Sequence, residues 1–283
     1  APVDLDLAAM RRVVESEGGC IVWGGAANLS PADDVLIRVE RPLDVDSDAQ
    51  LTASVLSKKL AAGATHVVLD LPVGPTAKVR GLDAARALGS RLQAVARAVG
   101  LQTSLLVTDG SQPVGRGIGP ALEARDILRV LRGERDAPAD LRSRALDLAG
   151  VALEFDPVVP RGGGRARAAQ LLADGSAWRK FQAICSAQGG MRDPPVAPQR
   201  LDIAASRGGI VRGFDNRKLA RLAKLAGAPR AAAAGLEVRA HVGDAIDAGA
   251  PLLTLHAATR GELDYARSYF DRHVDIVVVG DAP

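Results

Sequence analysis

LDVDSDAQLTASVLSKKLAAGATHVVLDLPVGPTAKV, residues Leu43–Val79, reads as a helix, a short turn, a buried strand and a glycine-containing loop. A short side-chain oxygen at Asp46 or Ser47 accepts from the unpaired amides of a first helical turn, and Gly63 ends the helix that starts there. At about 100° per residue, Asp46, Ser57, Gln50, Ser54, Ser47 and Lys58 fall within an arc of about 120°, with Leu51, Ala53, Val55, Leu56 and Leu60 elsewhere on the wheel. Such a face is either solvated, the commoner fate of a helix face bearing hydroxyls and charge, or it lines a polar site. THVVLDLP then has the β-branched, apolar character of a strand buried on both faces, and it runs into Val73–Lys78. Loops at the carboxyl ends of such strands are where ligands bind in open α/β sheets.

Outward from this stretch, helices and strands alternate. Leu5–Glu17 is predicted to be a helix stopped by Gly18-Gly19, Cys20–Trp23 a short buried strand, Gly24–Asp34 a loop, and Val35–Val39 a second strand. Gly81–Val99 has apolar residues at helical spacing and is expected to pack on the strand Ser104–Val107. Leu122–Leu131, Leu141–Ala149 and Arg165–Ala187 follow as helices. The alternation predicts an α/β fold with a mostly parallel sheet flanked by helices. Three prolines in MRDPPVAPQ, Met191–Gln199, mark a boundary, so that 1–191 and 192–283 are the expected domains. The second has short strands at 201–212 and 236–257, helices at 216–226 and 260–273 and a last strand at 275–279, a small α+β arrangement.

Composition narrows the function. With 36 Lys and Arg against 33 Asp and Glu, the net charge is only +3 and its signs are interspersed, and aromatic residues are 3% of the chain. Neither a basic stripe nor stacking platforms for bases are present, so no nucleic acid partner is expected. Cys20 and Cys185 are far apart, which suits reduced thiols in a cytoplasm. No stretch reads as a membrane span or a signal peptide. The four histidines lack partners at metal-ligand spacing, so no metal is expected.

SVLSKKLAAGATHVVLDLPVG resembles the base-binding helix and following strand of the thymidine/pyrimidine-nucleoside phosphorylase family. WGGAANLSPADD at Trp23–Asp34, TDGSQPVGRGIGPALEARDIL at Thr108–Leu128 and FQAICSAQGG at Phe181–Gly190 agree in order. PVGPTAK and GSQPVGRGIGPALEARD are similar to the longer branch, which holds AMP phosphorylases and bacterial enzymes called thymidine phosphorylase. The resemblance implies a remnant of a helical base-binding lobe at 31–62 and a C-terminal domain of barrel-sandwich or hammerhead-like form. The chain begins APVDLDLAAM, without an initiating methionine, and family members continue upstream; a C-terminal portion of a longer, homo-oligomeric, cytoplasmic protein is the expectation.

The resemblance also implies site residues. Ser54 and Lys58 match base-contacting positions, Asp46 the proton donor of the AMP phosphorylase branch, and Lys78 its nucleotide-contacting lysine. An arginine on the strand before the helix corresponds to Arg41 or Arg38, with Arg41 nearer the loop. Ser54 and Lys58, one turn apart, can bond one ring edge together. Asp46 is open to a second reading as a helix cap, because a helix N-terminus stabilises the anion rather than the acid a donor must be. Arg41 can equally be a surface residue. The turn containing Gly115, Gly117 and Gly119 lies between a strand and a helix, where glycine-rich turns cradle phosphate, and is otherwise a structural turn. The family's main phosphate loop is not among these 283 residues, so this chain alone is expected to be inactive. Inorganic phosphate is the co-substrate the resemblance implies, with no other cofactor and a nucleoside or nucleotide as the small-molecule partner. A non-catalytic binding or assembly module is the rival reading. VGDAIDAGAPLLTLHA is similar to biotinyl and lipoyl carrier domains, but no lysine follows Lys224, which excludes carrier function.

Overall fold

The computed structural model describes residues 1–23, Val35 and 48–281. In chain order its elements are α1 (Leu7–Glu17), α2 (Asp48–Ala61), β1 (His66–Val73), α3 (Leu82–Ala98), β2 (Gln102–Asp109), β3 (Gly117–Ile118), α4 (Pro120–Arg132), α5 (Ala139–Leu153), α6 (Gly164–Ala173), α7 (Ser176–Ala187), β4 (Gln199–Ala204), β5 (Gly209–Phe214), α8 (Asn216–Leu225), β6 (Gly235–Val238), β7 (Ala245–Ile246), β8 (Pro251–Ala257), α9 (Arg260–Asp271) and β9 (Val277–Gly280). The chain divides into two compact units, Ala1–Leu71 with Leu82–Val107 and Leu146–Arg192, and Pro72–Gly81 with Thr108–Ala145 and Asp193–Pro283.

In the first unit, α1 starts where the Asp6 carboxylate accepts from Ala9 N at 2.7 Å and stops at Gly18, whose φ of +74° is left-handed. Thr52 and Leu56 form the buried row of α2, which packs on α3. Ala85, Leu88, Leu92 and Ala96 are the buried stripe of α3. Gly89 sits among them, and a Cβ there would run into the Leu105 side chain, so the missing side chain lets the helix lie on β2.

Two readings of this unit are corrected. Cys20–Trp23 is not a strand: the buried Gln188 side chain brackets Ile21, accepting from its N and donating to its O at 2.8 Å each, and Trp23 is exposed. Arg165–Ala187 is not one helix but two, α6 and α7, broken at Gly175 (φ +75°), with the Asp174 carboxylate accepting from Ser176 N. Val35 is helical rather than extended, and the remainder of the strand expected at 35–39 lies outside the described residues.

The mostly parallel sheet is also corrected: the strands are mixed. Gln102 N donates to Thr65 O at 2.9 Å and Gly110 N to Val73 O at 2.8 Å, a constant offset that makes β1 and β2 parallel. The four-stranded sheet β3-β6-β8-β4 and the three-stranded sheet β7-β5-β9 are antiparallel throughout. Beyond residue 199 most links between elements are only a few residues, whereas a parallel neighbour needs a crossover of roughly a dozen or more. β1 also alternates in burial, with Val67 and Leu69 inside and His66 and Pro72 exposed, rather than being buried on both faces.

The core of the second unit lies between its sheets and helices α8 and α9, around Leu219, Leu222, Leu236, Leu253, Leu255 and Ile276. Thr259 caps α9 in a reciprocal box with Glu262, each supplying a side-chain oxygen to the other's backbone N–H. Among the described residues no helix is long and apolar enough to cross a membrane.

Candidate functional site

Parallel β1 and β2 end side by side, and within the second unit their following loops touch. A Cβ on Gly74 would lie 2.6 Å from Ser111 N, so this junction requires glycine there, and one on Gly110 would press on Val73 N at 3.1 Å. Asn216, at the start of α8, joins the two loops: its N donates to Thr76 Oγ1 at 3.1 Å and its Nδ2 to Gly110 O at 3.0 Å. Arg144 donates to Asp109 O, and the Asp109 carboxylate accepts from Ser111 N at 2.8 Å. The motifs PVGPTAK and GSQPVGRGIG are thus one structural feature.

The glycine-rich turn is built around carboxylates. Asp126, 3% exposed, accepts from Arg116 N and Gly117 N, both at 2.7 Å. Asp140 accepts from Gly115 N at 2.8 Å and Glu123 from Gly119 N at 2.9 Å. The N–H groups of Gly115, Gly117 and Gly119 are therefore occupied, and of the two readings of this turn the geometry favours the structural one over a phosphate cradle. Gly117 and Ile118 also pair with Glu237 and Leu236, which turns the end of the loop into the edge strand β3.

His241 lies beside this turn, with Nε2 at 4.0 Å from Asp140 and Nδ1 at 3.9 Å from Asp244. Val242 N donates to Gln112 Oε1 at 2.8 Å. Among the described residues no cluster of His, Cys, Asp and Glu is placed to hold a metal ion.

Ser54 and Lys58 fall in the first unit, half-buried and one turn apart on α2, away from the Thr52–Leu56 row; Gln50 and Ser57 share that half-buried face. Lys78 belongs to the second unit, exposed on the loop after β1. Asp46, Arg41 and its alternative Arg38 lie outside the described residues. Asp126 and Asn216 were not anticipated. A signal for Asp126 exists: Leu122, Asp126 and Val130 sit four residues apart on α4, so a carboxylate interrupts an apolar row.

Residues 210–277 match the family model described as the pyrimidine nucleoside phosphorylase C-terminal domain. Over 281 residues the chain is 64% identical to "Putative thymidine phosphorylase 1" of Acidovorax sp. (strain JS42), covering 99% of this chain and 55% of that protein. It is 61% identical over 279 residues to "Putative thymidine phosphorylase" of Polaromonas sp. (strain JS666 / ATCC BAA-500), with 99% and 55% covered. The likeness to "Putative thymidine phosphorylase" of Legionella pneumophila subsp. pneumophila is 56% over 283 residues, 100% of this chain and 55% of the relative. The chain thus spans about half the length of the curated relatives it matches. With the motif order, the matched domain and this identity along nearly all its residues, the chain belongs to the thymidine/pyrimidine nucleoside phosphorylase family.

Proposed function

We propose that the whole protein cleaves thymidine reversibly with inorganic phosphate. A phosphate oxygen forms the new bond to C1′ as the bond from C1′ to the ring nitrogen breaks; the electron pair leaves with thymine, which takes up a proton, and 2-deoxyribose 1-phosphate remains. The observation that supports this reading is the identity of 64% along 99% of the chain to a relative named for thymidine phosphorolysis. In the proposal Ser54 and Lys58 hold one edge of the base and stabilise its developing negative charge, a task suited to preorganised donors on a half-buried helix face. Arg41 assists them, Asp46 delivers the proton, and Lys78 contacts the nucleoside or nucleotide. The reaction uses no cofactor beyond phosphate.

The test is phosphorolysis by the full-length protein, with base release followed in the ultraviolet. Thymidine turnover is expected, and Ser54→Ala and Lys58→Met should each lower kcat/KM by about 10²-fold without a change in Tm. The 283-residue chain alone should show no turnover. Absence of turnover by the full-length protein at every phosphate concentration overturns the reading. AMP is the second substrate to assay, because Lys78 and GSQPVGRGIGPALEARD also fit the AMP phosphorylase branch; preference for AMP over thymidine would replace the substrate and keep the chemistry.

A further inference from the structure

Arg125, Arg129 and Arg200, with Asp126, Glu237 and Val196, line a cavity of about 160 Å³ inside the second unit. Three guanidiniums face two carboxylates there, and both carboxylates are engaged already. Asp126 takes the amides of Arg116 and Gly117 and pairs with Arg129 at 3.3 Å. Glu237 pairs with Arg239 at 3.3 Å and lies 3.8 Å from the buried His256 ring. Arg129 has a further carboxylate, Asp136, at 3.6 Å.

Arg125 and Arg200 are left over. The Arg125 Nη2 donates to Pro195 O at 2.5 Å and Pro194 O at 3.5 Å, which fixes the plane of the fork, while no protein acceptor meets its Nε or Nη1 among the described residues. The Arg200 side chain has no hydrogen bond or ion pair among the described residues. Burial, with Arg200 and Arg129 nearby, pushes the Arg125 guanidinium below its usual pKa, against the pull of Glu237. Two like-charged groups lining one concave site, neither in an ion pair among the described residues, are the arrangement that a shared anion relieves.

We infer that this cavity binds a tetrahedral oxyanion of the phosphate class, either inorganic phosphate or the phosphate group of a small phosphorylated molecule, gripped by Arg125 and Arg200. The Nε–H or Nη1–H of the fixed Arg125 guanidinium donates to one oxygen of such an anion, and the second arginine reaches others. The inference rests on the side chains of α4, β4 and β6 and is independent of any reading of the phosphorolytic site.

The experiment is calorimetric titration of the 283-residue chain with inorganic phosphate at constant ionic strength, and in a second arm with ribose 5-phosphate. Saturable one-to-one binding is expected, weakened tenfold or more in Arg200→Gln and in Arg125→Gln and unchanged in Arg221→Gln, which removes a positive charge from α8 outside the cavity. Arg200→Gln is the cleaner variant, since its side chain is exposed and bonds to nothing among the described residues, so folding is not at stake. Tighter binding of ribose 5-phosphate points to a phosphorylated small molecule, and equal or tighter binding of phosphate to the free ion. Binding unaffected by Arg200→Gln and Arg125→Gln, or no saturation with either ligand, overturns the inference. Turnover is not the readout, so failure here leaves the phosphorolysis reading standing, and the converse also holds.

Discussion

Asp126 shows how much one side chain organises. It is a buried carboxylate with two backbone donors and an arginine, and removing it strands both donors and leaves Arg129 with Asp136 alone. Asp126→Ala is therefore expected to lower unfolding free energy by about 3 kcal/mol or more, and Asp126→Asn by roughly half that, since the amide oxygen still accepts. Urea denaturation of both variants measures it, and a change under about 0.5 kcal/mol for Asp126→Ala would remove Asp126 as the organiser of the turn. Glu237 makes the corresponding pH argument. The His256 ring, then the Arg239 guanidinium, hold its carboxyl below the usual glutamate range, against the opposing effect of burial. A carboxyl depressed in the folded state contributes stability above its unfolded pKa and loses it as pH falls through the folded value. Stability of the parent chain should thus decline as pH drops below about 4.5, and Glu237→Gln should flatten that decline while leaving a smaller, pH-independent deficit at neutral pH. Thermal unfolding between pH 3 and 7 gives the comparison; parallel curves would discount the pair.

Elements were legible where periodicity is strong and short-range. The stripe of α3, the stop of α1 at Gly18 and the Ser54–Lys58 face of α2 all follow from residues within one or two turns. What escaped the sequence is fixed by distant partners. Gly115 resembles a phosphate turn until Asp140, 25 residues on, is seen to fill it, and Ile21 resembles a strand residue until Gln188 is seen holding it from 167 residues away. β3, with only two residues, has no period to read. Glycines at backbone crossings provide a test at this scale. In the first unit, Gly150 of α5 meets Gly164 and Arg165 at the start of α6, where a Cβ on Gly150 would lie 2.6 Å from Arg165 N. Backbone cannot yield as a side-chain tip does, so Gly150→Ala should destabilise by about 2–3 kcal/mol despite alanine's better helix propensity, whereas Gly261→Ala on α9, with open space around it, should be neutral or mildly stabilising. Equal midpoints for the two variants in denaturant would count against a tight α5–α6 crossing.

At the scale of the molecule, one division falls where the composition changes, between Arg192 and Asp193, but the chain also passes between the units at four earlier points. The proline-rich segment introduces Asp193–Pro283, yet the compact unit built on that region also takes in Pro72–Gly81 and Thr108–Ala145. The joining is made by hydrogen bonds: Gly117 and Ile118 lie on the edge of β6, Ala121 N donates to Ala232 O, and Val238 N to Arg116 O. Anyone shortening this protein should expect trouble from that ladder. A piece cut after residue 192 would leave the 115–119 turn without the strand that fixes its far end, and a piece begun at residue 193 would present the bare rim of β6 to any passing strand, inviting self-association. The smallest cut that respects the backbone pairing keeps the two early segments with the tail, so a gene encoding the C-terminal region alone should be designed around three stretches rather than one.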